Sequence, residues 1–487
     1  MDKNLRRKIL KGSAATSIGT VSGLLLNFVA VMIMTRYAPK EDLGIFVLVI
    51  VIVNMFNILS GLGVELTLVK FIASQKEEEK QEVLLPVLII RTLGTLLLSI
   101  LFLLVARYFL SLFDDRIYKY VWYILAIFIL ANYRDLFYSL MQGINLWKQF
   151  SIVNVVSSAF RVIIFGPFLL LGKIDIKILL IIEILSTAQP LIHQLLVIPF
   201  KNYLHTKPTR HSMKKIINFS IPIYLNNLVV FVNGQLNIFI LGIYLSPISV
   251  ANYDVARKLP TALKKMFGAF IAVYFPNLAG LFSTGDKKTA VNLIERSLGT
   301  FSILTTLLFV FSFLFRNELT SFLFSKKYVE VSMAFALLIL NFYIRGLGDL
   351  MGYPFVPAGY PSVPTWINAL ASIISIGLSI LFIPIYGYFG IVYALLIMNI
   401  VSTSLFYFYL SKYQINPQVK SFLKPTILFL IAPISMLFGG QYLLIIKLLL
   451  FSVALIIGWL ISDDLKSITG HTVSYVQKYI PFKKFEG

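Results

Sequence analysis

Apolar runs close to the ~20 residues that cross a hydrocarbon core follow one another along this chain, separated by short polar breaks. Read with that window, the pattern predicts about fourteen helices. The first six lie near residues 14–35, 43–64, 83–106, 118–140, 150–171 and 177–199. A basic loop with Lys201, Lys207, Arg210, Lys214 and Lys215 follows. Six more runs lie near 216–244, 249–282, 297–315, 329–351, 363–383 and 387–410, and two last ones near 422–438 and 441–461. Only the bare Gly439-Gly440 turn separates the last two, so counts of twelve or thirteen stand as alternatives. The fold class is all-α and polytopic. The basic loop divides it into two pseudo-symmetric six-helix lobes, residues 1–206 and 207–415, with two accessory helices and a tail over 416–487. An even number of spans per lobe gives repeats of like orientation. At an offset of about 207, Ile33, Tyr37 and Phe46 fall on Ile240, Tyr244 and Tyr253, a weak internal repeat.

Composition narrows the class. With 58% hydrophobic and 13% charged residues and a mean hydropathy of +0.84, the chain lies far from soluble make-up. The apolar runs leave no room for a catalytic or nucleotide-binding domain, and no GxxxxGK[ST] loop occurs. The chain reads as a transporter rather than an enzyme: no catalytic residue, metal cluster or cofactor is indicated. The net charge of +21 gathers in loops beside spans, where anionic lipid headgroups attract it, so membrane topology explains it better than nucleic acid. With no cysteine there is no disulfide framework or thiolate metal site. The basic start (Lys3, Arg6, Arg7, Lys8, Lys11) precedes a run too long for a signal-peptide core. The positive-inside bias then places both termini in the cytoplasm of a multi-pass cell-membrane protein.

One stretch breaks the apolar rule. Ala251 to Leu281 carries Arg257, Lys258, Lys264 and Lys265 inside a spanning run. A cation at a span centre costs about 2.5–3.5 kcal/mol on insertion scales, so four facing lipid are disfavoured. Arg257 and Lys264 are a heptad apart, as are Lys258 and Lys265, which puts the four on one side of a helix. Pro260 between them removes a backbone hydrogen bond and invites a kink. The expectation is a helix lining a wet cavity that holds an anionic, membrane-embedded substrate. The alternative is a shorter span from Met266 to Phe282, with the cations snorkelling at the interface.

Several stretches carry a family resemblance: GLGVELTLVKFIA from Gly61, FSIPIYLNNL from Phe219, YDVARKLPTALKKMFGAFIAVYFPNLAGLF from Tyr253 and FIPIYGYFGIVYALLI from Phe382. In order and spacing they resemble the polysaccharide flippases of the multidrug/oligosaccharidyl-lipid/polysaccharide exporter superfamily. The resemblance implies fourteen helices in two six-helix lobes plus two accessory helices, alternating access, and a cationic cavity for an isoprenoid-diphosphate-linked oligosaccharide. It places Arg257, Lys258, Lys264 and Lys265 against diphosphate and sugar. Glycosyltransferases of the same pathway are the partners it suggests. The first span departs from some relatives in having no cation: Asn27 is its main polar residue, and Arg36 at its end is the nearest substitute.

Other intramembrane polar residues are candidates by default. Arg134 and Arg345 join the substrate-binding set; Arg134 has a snorkelling alternative, and Arg345 with Asp349 four residues on has a helix-fastening one. Asp254, Asp349 and Glu183 are candidate ion relays. Arg161 and Asp135 are noted beside them, and Glu65 reads as interfacial. Gly61, Gly63, Gly387 and Gly390 read as close-packing or hinge positions. Two rivals stand. A multidrug exporter of the same superfamily calls for an acidic or aromatic cavity, and a membrane glycan polymerase or ligase calls for a large outer loop.

Overall fold

In hydrocarbon a backbone amide must find its partner within its own segment, so single-chain spans of this composition fold as helices. The structure, a computed structural model, describes residues 3–74, 77–172, 174–203, 209–415, 417–434 and 443–461. Among them there is helix and no strand. Lys76, Lys207, the Gly439-Gly440 turn and the tail from 462 lie outside the described residues, as do the side chains of the basic start. Helices lie along most of the expected runs, but the count of fourteen is not reproduced: the run expected at 216–244 is divided at Gln235, and the one expected at 422–438 is a series of short helical pieces over its described residues. Eleven of them are long and apolar enough to cross a membrane, while Val21–Tyr37 and Lys424–Ile434 are shorter apolar helices. The protein is a multi-pass membrane protein. Its internal contacts gather into two compact units, Met1–Val255 with Ile383–Tyr388, and Ala256–Phe382 with Phe389–Gly487.

The first unit begins with α1 (Lys3–Tyr37), α2 (Lys40–Gly61), α3 (Val64–Ser74), α4 (Glu77–Ser111), α5 (Val121–Gly143) and α6 (Trp147–Ile163). It continues with α7 (Phe165–Leu170), α8 (Ile176–Val197), α9 (Arg210–Gly234), α10 (Leu236–Tyr244) and the start of α11 (Pro247–Ser283). Small residues let α1 and α6 touch: a Cβ added at Gly19 would lie 2.9 Å from the Ser151 Cβ, and one at Gly23 3.2 Å from the Ser158 Oγ. One turn on, the Asn27 amide donates to Ser158 Oγ and to the Gly23 carbonyl, both at 2.8 Å.

The second expected span ends in a break. Leu62 and Gly63 both take positive φ, 47° and 76°, and split α2 from α3. Gly63 is required there twice over, by its φ and because a Cβ would lie 2.6 Å from the Ser220 carbonyl oxygen of α9. Thr67 and Ser220 then share a hydrogen bond of 2.7 Å, and Lys70 Nζ sits 3.7 Å from the centre of the Phe219 ring. Beneath the break lies a buried polar network. Arg91, 1% exposed, pairs with Glu65 at 2.7 Å and donates to the Asn132 carbonyl, while Asn132 exchanges hydrogen bonds with Ser60. Desolvating a guanidinium so fully is tolerable only with such partners. Outside the spans, Arg116 donates to Asp114 and holds its carboxyl below the usual range, while also pairing with Glu41 at 2.8 Å.

The second unit holds the rest of α11 with α12 (Lys287–Leu314), α13 (Arg316–Leu323), α14 (Ser332–Gly352), α15 (Ser362–Tyr386, largely) and α16 (Phe389–Lys412). The short α17 (Val419–Leu423) and α18 (Ile431–Ile434) and the apolar α19 (Leu443–Ile461) complete it. Asp286 caps α12 by accepting from the Thr289 amide. The core joins Leu278 of α11, Ile294 and Leu298 of α12, Leu350 and Met351 of α14 and Phe406 of α16. Polar ties cross it: Tyr274 donates to the Leu350 carbonyl, Ser302 to the Phe422 carbonyl and Asn399 to Asn341. Lys447, inside the apolar α19, is buried and reaches Glu318 of α13 at 2.6 Å. Helix α11 runs as one element through Pro260 and Pro276.

Candidate functional site

The charged candidate residues gather into two clusters among the described residues, one in each unit. In the second unit, α11 presents Arg257 and Lys258 half-buried, and Lys264 and Lys265 exposed. Lys264 feels the charges of Arg345 and Asp349 on α14. Those two pair one turn apart, Arg345 Nε to Asp349 Oδ1 at 2.9 Å. The pair cancels itself, which leaves the cluster with the surplus cation of Lys264, and Lys265 adjoins it. Tyr353, one turn past Asp349, senses the same charges. An aromatic triad joins the same helices and α12: Phe267 and Phe301 have centroids 4.7 Å apart, Phe301 and Phe342 5.8 Å, Phe267 and Phe342 6.2 Å. A guanidinium offers a planar fork and an ammonium a point charge, so the two together suit a phosphate-bearing ligand.

In the first unit, Arg134 hydrogen-bonds the neighbouring Asp135 at 2.9 Å and also feels Glu183 and Tyr138. Arg161 of α6 donates to Glu183 of α8. Two guanidinium and two carboxylate groups thus lie on α5, α6 and α8, and their formal charges sum to zero. Asp254 is buried, 1% exposed. Asn27 spends its amide on α6 rather than on open space, and Arg36 stands exposed at the end of α1.

Of the candidate residues, the structure therefore gathers Lys264 with Arg345 and Asp349, and Arg134 with Glu183. Asn27 stands apart as a helix-packing residue. Three polar residues that the sequence reading passed over are prominent. Arg91 and Lys447 are buried with carboxylate partners, and Arg296 lines a cavity. The sequence signal for Arg91 and Lys447 was a lone charge within an apolar run, and for Arg296 a charge beside Glu295 at the edge of one. Among the described residues, no group of His, Cys, Asp and Glu is placed to hold a metal ion.

These features define a helical membrane protein with the fold of the multidrug/oligosaccharidyl-lipid/polysaccharide transporters. By sequence the chain belongs to the polysaccharide biosynthesis protein family, whose model matches residues 9–282. Its structure is similar to that of the lipid II flippase MurJ in an inward closed conformation, with a TM-score of 0.72 and 16% identity over 92% of this chain and 99% of that one. It is also similar to an inward-facing multidrug resistance MATE family transporter, with a TM-score of 0.67 and 14% identity over 82% of this chain and 94% of that one. A third similar structure is a transporter of this superfamily from Pyrococcus furiosus, described by the reverse polarity of its binding pocket. That match has a TM-score of 0.52 and 13% identity over 84% of this chain and 96% of that one. No curated protein matches the chain.

Proposed function

We propose that this protein is a flippase that carries an isoprenoid-diphosphate-linked oligosaccharide from the cytoplasmic to the outer leaflet by alternating access, for assembly of a cell-surface glycan. Residues 1–206 and 207–415 act as the two lobes, residues 416–487 supply accessory helices, and both termini face the cytoplasm. The observation that carries the reading is the surplus cation of Lys264 beside a self-neutralised Arg345–Asp349 pair. A diphosphate meets Lys264 and Lys265 first. Arg345 offers it a fork, and Arg257 and Lys258 continue the same helix two turns away. The sugars travel in water and the hydrocarbon tail in the bilayer. Moving two negative charges outward, away from an interior negative by 100 mV, gains about 2.3 kcal/mol per charge, enough to favour release on the far side. Family membership and the likeness to a lipid II flippase support this substrate class over an enzyme.

Liposomes reconstituted with the full chain and a fluorescent lipid-diphosphate sugar test the reading. Lys264→Ala lowers the translocation rate about 10- to 100-fold, the equivalent of about 1.5–3 kcal/mol for a hydrogen bond to a charged group, and Lys265→Ala lowers it less. Equal rates in wild type and both variants would remove the cationic-wall mechanism. Uptake of a cationic dye without flipping of the lipid would establish the drug-exporter rival instead.

A further inference from the structure

Within the second unit, α11 and α12 enclose a cavity of about 340 Å³, within the roughly 300–1,000 Å³ usual for ligand sites. Phe267 and Phe270 of α11 form one wall, and Arg296, Thr300, Phe301 and Leu304 of α12 form the other. It opens to the surface, since Phe270 is 44% and Leu304 50% exposed. Arg296 makes no ion pair or hydrogen bond among the described residues. The adjacent Glu295 is engaged elsewhere, accepting from the Gln418 amide at 2.7 Å. A cation with no ion-pair partner among the described residues therefore stands at one end of an apolar slot.

The order of side chains along that wall is informative. Arg296 comes first, then the hydroxyls of Ser297 and Thr300, then Phe301 and Leu304, all within about 12 Å of helix rise. Arg296 also immediately precedes the apolar run Ser297–Leu314, and Lys287 and Lys288 lie toward the turn that joins α11 to α12. That places Arg296 at the edge of the hydrocarbon. A phospholipid presents its groups in the same order at the same depth: phosphate, ester oxygens, acyl chain. We infer that this cleft binds one anionic phospholipid of the leaflet next to the α11–α12 turn, its phosphate on Arg296 and one acyl chain between Phe270 and Leu304. A zwitterionic lipid would bring an ammonium group toward Arg296, Lys287 and Lys288, which disfavours it by like charge. The cleft shares Phe267 and Phe301 with the aromatic triad of the candidate site, but its charged end is Arg296, and Lys264 and Arg345 take no part in the assignment.

Native mass spectrometry of the full chain, delipidated and titrated separately with phosphatidylglycerol and phosphatidylcholine, tests the site. Wild type retains one phosphatidylglycerol per chain in preference to phosphatidylcholine. Arg296→Gln weakens that retention about fivefold, as expected for about 1 kcal/mol per cation at a membrane surface. Leu304→Trp keeps the charge, fills the slot and also loses the lipid, whereas Arg116→Gln retains it. Thermal unfolding of each variant guards against misfolding as the cause. Equal retention of the two lipids, or retention by both cleft variants at the wild-type level, would overturn the assignment. Displacement of phosphatidylglycerol by an equimolar polyprenyl phosphate would overturn it too, by making the cleft a substrate-tail site.

Discussion

The charge clusters on α5, α6 and α8 and on α11 and α14 differ in their charge balance. On α5, α6 and α8, Arg134, Asp135, Arg161 and Glu183 cancel, and each has a partner in place. On α11 and α14, Arg345 and Asp349 cancel in the same way, but Lys264 remains. A closed set of ion pairs fastens helices and offers a ligand little, because binding would break a bond already made. A set with one cation to spare can accept an anion without that exchange. The same contrast separates Lys447, paired with Glu318, from Arg296, which has no ion-pair partner among the described residues.

The comparison can be broken at its most buried point first. Arg91→Ala removes the partner of Glu65 and the donor to Asn132, and breaking such a pair costs about 3–5 kcal/mol. Thermal unfolding in detergent should show it as the largest loss of stability among these variants; a change near zero would mean that a buried pair here does not fasten anything.

A sharper test compares one carboxylate from each cluster. Asp349→Asn frees Arg345 beside Lys264, so affinity for the lipid diphosphate should rise about 2- to 5-fold, with stability changed by at most about 1 kcal/mol. Glu183→Gln strands Arg161 in the cancelled cluster, so it should lower stability by about 1–3 kcal/mol and leave diphosphate affinity unchanged. Titration with the fluorescent lipid, alongside melting curves, separates the two. The reverse assignment of effects would make Asp349 the fastener and Glu183 the binding-site residue.

The smallest effect lies outside the spans. The hydrogen bond from Arg116 depresses the Asp114 carboxyl below its unfolded value. Its contribution is therefore complete above the unfolded carboxylate range and is lost as pH falls through the depressed value. Asp114→Asn should flatten the acid limb of the stability profile slightly, by less than about 1 kcal/mol for so exposed a pair. An unaltered limb would show that Arg116 is held by Glu41 alone.

Much of the architecture was legible because a span is a one-dimensional signal: about twenty apolar residues suffice, and no tertiary partner need be known. The cationic rows of α11 were legible for the same reason, since a charge in such a run stands out. What pairs with what was not. Lys264 meets α14 and Arg161 meets α8 across distances in sequence that no periodicity encodes. Arg91 escaped notice as a lone charge whose partner, Glu65, read as interfacial, and Asn27 read as cavity-lining because its acceptor lies on α6. The break at Leu62 and Gly63 was legible only as two glycines around a leucine.

That break has a further consequence. A continuous transmembrane helix shields its amides along its whole length, so deuterium enters it slowly and from the ends. At Leu62 and Gly63 the ladder stops and restarts, which leaves two separately hydrogen-bonded segments. One is anchored through Ser60 to α5, and the other through Thr67 to α9. Isotope uptake should therefore start within this stretch as well as at its tips, and the two halves should lose protection at different rates.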